Sequence, residues 1–304
     1  MSGGRFFYAN EGSRRSRTAF FDALEALVEA GIGFDETRLC GDQAELDGIV
    51  RERLAGGAEA IFVGGGDGTL GGVSEHFRGS ETIFGAVPLG TGNQFAREVG
   101  LPEELRAYAA TVAQGRLAWL DLGLCNGQGF LTVATLGLTT EIARNLESKG
   151  VLGKASYVPA LAAALKKMRP FEVEIEGEGE TIFGSMVQVV VCNGRTHAGP
   201  FLASPDATIT DGMFDVYALK PMGMGEMVGA AVLALGGEHT NTKEVDAMKA
   251  NRLVVRTRPK LPVVLDGEEC WFDEMTFEIV PAAFRAVVGP GMRVPQDRLS
   301  SVEW

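Results

Sequence analysis

Cysteine and histidine are scarce in this sequence: 304 residues carry only 4 and 3 of them. Cys40, Cys125, Cys192 and Cys270 lie far apart and form no C-x-x-C pair, which argues against a zinc site or a dithiol redox motif. Scattered single cysteines fit a reducing compartment. His76, His197 and His239 belong to no motif, and His197 is expected to be solvent-exposed rather than catalytic. Basic residues are outnumbered, 28 against 40 acidic, for a net charge of −12. That balance excludes a constitutive nucleic-acid binder and a strong standing attachment to an anionic membrane. Long apolar runs are missing too. The stretches 159–165 and 227–235 are too short to span a bilayer, and Met1-Ser2-Gly3-Gly4-Arg5 lacks the apolar stretch of a signal peptide. A cytoplasmic protein is expected, with any membrane contact transient and peripheral at the inner membrane face. No G-x-x-x-x-G-K-[ST] occurs, so a P-loop is excluded.

What is present is enough apolar residue, 45% of the chain, to bury a full core without staples. Up to Leu120 strand-like and helix-like segments alternate. Strands are expected at Arg5–Ala9, Gly33–Leu39, Ala60–Val63 and Ile83–Val87, and helices at 16–30 and 43–54. Asp42 can cap the second helix with Glu45 as its capping-box partner. This alternation predicts a parallel sheet with helices on both faces, which binds ligands at the carboxyl ends of its strands. After a boundary near Asp121 the chain turns β-rich, with strands expected at 122–125, 130–136, 171–176, 186–192, 214–219, 252–257, 263–265 and 275–280. A sandwich or open barrel is expected there, with helices at 140–148, 157–168 and 225–235. The domains are therefore drawn as 1–121 and 122–304, with roughly the last 20 residues free to return to the first. Glutamates 172, 174 and 176 share one strand face, and Arg252, Arg256 and Arg258 another. The arginines are read as pairing across strands with the glutamates rather than as an anion site.

Two glycine-rich turns stand at strand ends. In Gly64-Gly65-Gly66-Asp67-Gly68-Thr69 the glycines allow close backbone approach, and successive amides can form an anion nest at a helix N-terminus. Asp67 would repel a phosphate unless a cation intervenes, so Mg²⁺ or a ligand hydroxyl is expected beside it. The alternative is a tight turn and nothing more. Residues 66–71 also satisfy G-x-G-x-x-G, but after the third strand rather than the first and without the acidic residue a dinucleotide fold requires. In the second turn, Pro88-Leu89-Gly90-Thr91-Gly92-Asn93, Thr91 and Asn93 can donate hydrogen bonds to phosphate or sugar.

These two turns together resemble the diacylglycerol kinase catalytic-domain family, which includes bacterial lipid kinases and sphingosine kinases. The resemblance continues through Asp121-Leu122-Gly123, Phe130–Gly137, Pro205-Asp206-Ala207 with Asp211-Gly212-Met213-Phe214-Asp215-Val216, and Leu265-Asp266-Gly267-Glu268, covering about 5–295. It implies an ATP-dependent lipid kinase whose first domain binds ATP and whose second binds the lipid, diacylglycerol or a related lipid alcohol. Gly64, Gly65, Gly66, Asp67, Gly68, Thr69, Leu70, Thr91 and Asn93 would hold ATP, with Asn10 and Thr37 at the edges of the site. Asp67 would serve Mg²⁺–ATP. Glu268, with Asp266 beside it, would take the proton from the lipid hydroxyl. Asp211 and the carbonyls of Thr208 and Met213 would match a second, structural Mg²⁺ site. Asp266-Gly267-Glu268 also fits a plain hairpin turn. The sequence departs from the family at Asn10-Glu11-Gly12-Ser13-Arg14, which lacks the proline of Asn-Pro-x-Ser-Gly, at Gln94 for Asp, and at Thr210 for Asp. NAD kinase, which shares Gly-Gly-Asp-Gly-Thr, and a non-catalytic lipid or nucleotide sensor stand as alternatives. A homodimer is carried as an expectation. Asp67→Ala is expected to abolish activity and leave the melting temperature nearly unchanged.

Overall fold

The structure is a computed structural model that describes residues 3–11, 14–137, 169–197, 201–202, 207–223 and 243–304. The helices expected at 140–148, 157–168 and 225–235 lie outside the described residues.

The first part is the expected α/β layer. Strands β1 (Arg5–Asn10), β2 (Glu36–Cys40), β3 (Ala60–Gly65) and β4 (Ile83–Pro88) are parallel in the order β2-β1-β3-β4. They alternate with α1 (Arg14–Glu29), α2 (Gln43–Ala55), α3 (Asp67–Ser74), α4 (Gln94–Glu98) and α5 (Leu105–Val112). All of β4 and all but the last residue of β3 are buried, as central parallel strands covered on both faces must be. Asp42 caps α2 by accepting from Glu45 N at 2.8 Å. Glu45 does not complete the capping box. Its carboxylate accepts from Gly41 N, one residue earlier, and pairs with Arg38.

The chain continues through β5 (Arg116–Cys125), β6 (Gln128–Phe130), β7 (Val133–Gly137), β8 (Phe171–Gly177), β9 (Thr181–Met186) and β10 (Gln188–Cys192). Next come β11 (Thr196–His197), β12 (Phe201–Leu202), β13 (Phe214–Leu219), β14 (Val245–Ala250), β15 (Arg252–Arg258), β16 (Val263–Leu265) and β17 (Glu268–Cys270). The chain closes with β18 (Met275–Val287) and β19 (Leu299–Ser301). The strand expected at 186–192 breaks at Val187 into the end of β9 and β10. Six strands form a sheet in the order β14-β13-β10-β7-β16-β17. Its inner face packs Leu136, Val191, Phe214 and Leu265 against Val173, Ile175, Val255 and Phe277 of β8, β15 and β18. The second core is therefore a sandwich.

Strands β5 and β18 run antiparallel through both cores, and Asp121 lies midway along β5. β18 pairs with β15 at its start and with β4 at its end, and its register shifts between Val280 and Phe284. Ala282 sits there at φ 47°, with its N–H donated to the fully buried Asp121 at 2.8 Å. Asp121 also accepts from Gly212 N at 2.7 Å and pairs with Arg298, so one carboxylate pins the bulge, the 208–213 turn and the C-terminal segment.

Of the three arginines, Arg256 pairs with the glutamates as expected: it sits opposite Glu174, and its guanidinium lies 2.9 Å from Glu176 and 3.5 Å from Glu174, whereas Arg252 pairs at 2.9 Å with Glu278 of β18. All four cysteines are free. No helix among the described residues is long and apolar enough to cross a membrane.

Candidate active site

The two glycine turns touch through their backbones. A Cβ on Gly90 would stand 2.4 Å from Gly66 Cα, so it cannot be replaced without moving a turn, and one on Gly64 would stand 2.6 Å from the end of the Leu89 side chain, which would have to turn aside. Gly66 is the N-cap of α3 and has no side chain to cap it. The first N–H groups of α3 are thus free of a side-chain acceptor, which suits a phosphate oxygen.

Asp67 opens α3 but reaches across to the second turn. Its Oδ1 accepts from Phe95 N at 3.0 Å, and its Oδ2 faces Gly92, where a Cβ would come within 2.6 Å. The carboxylate therefore caps α4. Burial pushes its pKa up to about 6; the Phe95 and Gln94 amides and Arg97 pull it down, and the charge of Asp266 pushes it up. The Asp67 carboxylate is an oxygen donor of the kind that suits a hard cation such as Mg²⁺.

Other expected ligands of the nucleotide are placed differently. Leu70 is fully buried in the first core, and its N–H donates to Gly66 O at 3.0 Å, so neither its side chain nor its amide is available to a ligand. Asn93, at φ 48°, is nearly buried and closes its own turn: Oδ1 accepts from Gly90 N at 2.9 Å, and Nδ2 donates to Gly90 O at 3.0 Å. It shapes the turn rather than presenting its amide. Thr91 is exposed at the tip, and Gly65, Gly68 and Thr69 are partly exposed. Asn10 ends β1, one residue beyond the Ala9–Gly64 pair, and so stands level with Gly65. Thr37 pairs with Phe7 on the outer strand β2, three residues or about 10 Å back from Asn10. The sheet does not bring it to the glycine turns.

The hairpin reading of Asp266-Gly267 holds, and it changes the role of the aspartate. Leu265 pairs with Glu268 across a two-residue turn, with φ 46° at Asp266 and 99° at Gly267, as a type I′ turn requires. The Asp266 side chain is buried in a nest. Its Oδ1 accepts from Thr132 N and Val133 N, both at 3.0 Å, and from the Thr132 hydroxyl, while Oδ2 accepts from Leu131 N. Burial raises its pKa against these four bonds. A carboxylate so occupied is a structural anchor rather than a proton acceptor. Its Oδ2 would lie 3.2 Å from a Cβ on Gly71, so the hairpin sits directly on α3 one turn beyond Asp67. Glu268 follows, exposed on the edge strand β17. In the sequence Gly71 stands out only as the last glycine of the 66–71 pattern, and its contact with the hairpin is visible only in the tertiary structure.

Thr208, Asp211 and Met213 share one turn. Asp211 N donates to Thr208 O at 3.4 Å, and Asp211 Oδ1 accepts from Met213 N at 3.1 Å. Burial raises the Asp211 pKa, and Asp215 and Asp121 add to the rise. Asp215 pairs with Lys249 at 3.2 Å and Asp121 with Arg298; Asp211 forms no ion pair among the described residues, although the Lys249 charge pulls its pKa down. The turn offers oxygen donors only, which fits Mg²⁺.

A second link joins the cores. Glu98, almost fully buried at the end of α4, accepts from Arg195 N at 2.9 Å. Asn193 and Gly194 donate their N–H groups to Thr132 O at 2.9 and 3.2 Å. The 193–195 loop is thus held between α4 and the nest of Asp266.

Two families match this chain. The diacylglycerol kinase catalytic domain matches residues 5–125, and the YegS C-terminal NAD kinase beta sandwich-like domain matches residues 132–288. A diacylglycerol kinase of Bacillus subtilis is 35% identical over 215 residues, 69% of this chain and 71% of its own. A Pseudomonas aeruginosa protein named "Probable lipid kinase YegS-like" is 32% identical over 88% of this chain and 89% of its own. The crystal structure of a diacylglycerol kinase from Bacillus anthracis superposes with a TM-score of 0.73, covering 95% of this chain and 98% of that one at 20% identity, a likeness of fold.

Proposed function

This chain belongs to the family of diacylglycerol kinases and YegS-like lipid kinases and is a kinase, and we propose that it transfers the γ-phosphoryl group of ATP to a lipid hydroxyl, diacylglycerol first. The observation that carries this reading is the three-way junction of Gly66, Gly90 and the Asp266 hairpin on Gly71, which brings the start of α3, free of a side-chain cap, together with Asp67 and the hairpin that leads to Glu268. In it, Gly65–Thr69 and Thr91 line the phosphates, and the uncapped start of α3 offers its N–H groups to them. Mg²⁺, when bound beside Asp67, neutralises phosphate charge. Glu268 accepts the proton of the attacking hydroxyl. Exposure supports this choice over Asp266, whose oxygens are spent in the nest. The 208–213 turn would hold a second Mg²⁺ in a structural role.

The lipid acceptor resides in a bilayer, so the reading includes transient peripheral contact at the inner membrane face of the cytoplasm. Trp271, 61% exposed three residues after Glu268, suits such contact, because an indole favours the headgroup level. The test is transfer of label from γ-labelled ATP to diacylglycerol, sphingosine, ceramide and NAD. Labelled lipid is expected. Labelled NAD alone would point to an NAD kinase, and bound ATP with no labelled product to a sensor.

A further inference from the structure

Arg195 is a cation that the proposed chemistry above does not use. Its backbone N–H and its Nε both go to the buried Glu98, at 2.9 and 3.4 Å, while its side chain remains 42% exposed. Its two Nη groups have no partner among the described residues. Glu98 therefore fixes one edge of the guanidinium and leaves the other, a planar pair of N–H donors, turned away from it. Glu98 also packs closely on this loop, because a Cβ on Gly194 would lie 2.8 Å from its Cδ.

The position is set from two sides. Gln94, Arg97 and Glu98 are neighbours on one face of α4, the helix that the second glycine turn begins and Asp67 caps. From the other side, Thr132 bonds both the 193–194 backbone and Asp266. Arg195 thus stands one short helix from Asp67 and one loop from the hairpin that carries Glu268. A second donor on α4 is also unanswered. Arg97 pairs through Nη1 with Glu103 at 2.8 Å, but its Nη2 is buried without a hydrogen-bond partner. Two guanidinium groups on and beside α4 thus hold spare N–H donors, which suit the oxygens of an anion.

We propose that Arg195 is a phosphate-contacting residue, brought to α4 by the second core and aimed by Glu98 as its positioning residue. The contacted oxygen belongs either to the terminal phosphate of ATP or to an anionic lipid headgroup. The inference rests on the kinase reading for the identity of the site, but its test does not need turnover.

The full chain and its R195A, R195K and E98Q variants are compared in binding of ATP and of ADP, each with Mg²⁺, by calorimetry. Sedimentation with phosphatidylcholine vesicles, with and without phosphatidylglycerol, completes the comparison. R195A is expected to weaken ATP about 10- to 100-fold, with ADP nearly unchanged, if the terminal phosphate is the partner. If the headgroup is the partner, R195A loses instead the extra vesicle binding that phosphatidylglycerol confers. R195K recovers only part of either loss, because lysine lacks the fork. E98Q shows the same pattern more weakly. Should R195A melt early, R195K carries the same comparison. Wild-type binding of ATP, ADP and both vesicles by R195A and R195K overturns the proposal. Wild-type protein that binds ATP and phosphorylates no lipid refutes the kinase reading and leaves the Arg195 comparison intact.

Discussion

Asp266 and Glu268 are two residues apart and do opposite work. Asp266 satisfies three backbone N–H groups and a hydroxyl inside the protein. Asp266→Ala leaves those donors buried without an acceptor and should cost about 3 kcal/mol or more, read as a lower midpoint in urea. Glu268→Gln touches an exposed edge and should leave that midpoint unchanged while lowering kcat by about 100-fold or more. Equal effects of both on stability would refute this division. Asp67 adds a pH signature. Its folded pKa of about 6 exceeds the ordinary 3.8, so the native state holds that proton more tightly than the unfolded chain does. Its contribution to stability is complete below the ordinary value and is lost as pH rises through about 6. Asp67→Asn cannot titrate, so wild type should lose ground against it across that window, followed by melting temperature in steps of pH. A flat difference would show that burial does not perturb Asp67. In the sequence a carboxylate in a glycine turn is visible, but which of its oxygens are already bonded is not. Asp67, Asn93 and Asp266 all proved more committed to the protein than their motifs suggest, because the bonds that occupy them come from distant segments or from the turn's own closure.

At the scale of elements, α4 is five residues long and could not persist alone. It is held at its start by Asp67 and at its end by Glu98 with Arg195. The expectation of an unchanged melting temperature for Asp67→Ala is therefore revised: loss of a cap should cost about 1 kcal/mol as well as activity. Gly90→Ala should be worse, since its Cβ meets Gly66 Cα at 2.4 Å and must part the two turns. ATP binding, measured by calorimetry, should weaken beyond 10-fold; retained affinity would mean the turns do not act together. The parallel strands and α2 were legible from periodicity and a cap. The span of β5 and β18 was not, because a strand serving two cores shows no boundary in its own pattern. The break between β9 and β10 was hidden inside one apolar run for the same reason.

At the scale of the whole molecule, Asp121 is the joint. It is buried on the strand common to both cores and bonds the β18 bulge, the 208–213 turn and Arg298. Removing one partner of a buried pair typically costs about 3–5 kcal/mol, so Asp121→Ala should lower stability by that order, and Arg298→Ala by less because the β18 bulge and the 208–213 turn still bond Asp121. A near-neutral Asp121→Ala in a urea melt would show that the cores are joined by strand pairing alone. The central claim, however, is chemical: the junction of two glycine turns and one hairpin passes phosphate to a lipid alcohol. Its most direct test is label transfer from γ-labelled ATP to diacylglycerol in mixed micelles, with Glu268→Gln alongside. Labelled lipid from wild type, reduced about 100-fold or more in a variant that melts normally, is the expected result. No labelled lipid from wild type, or full activity without Glu268, would contradict the account.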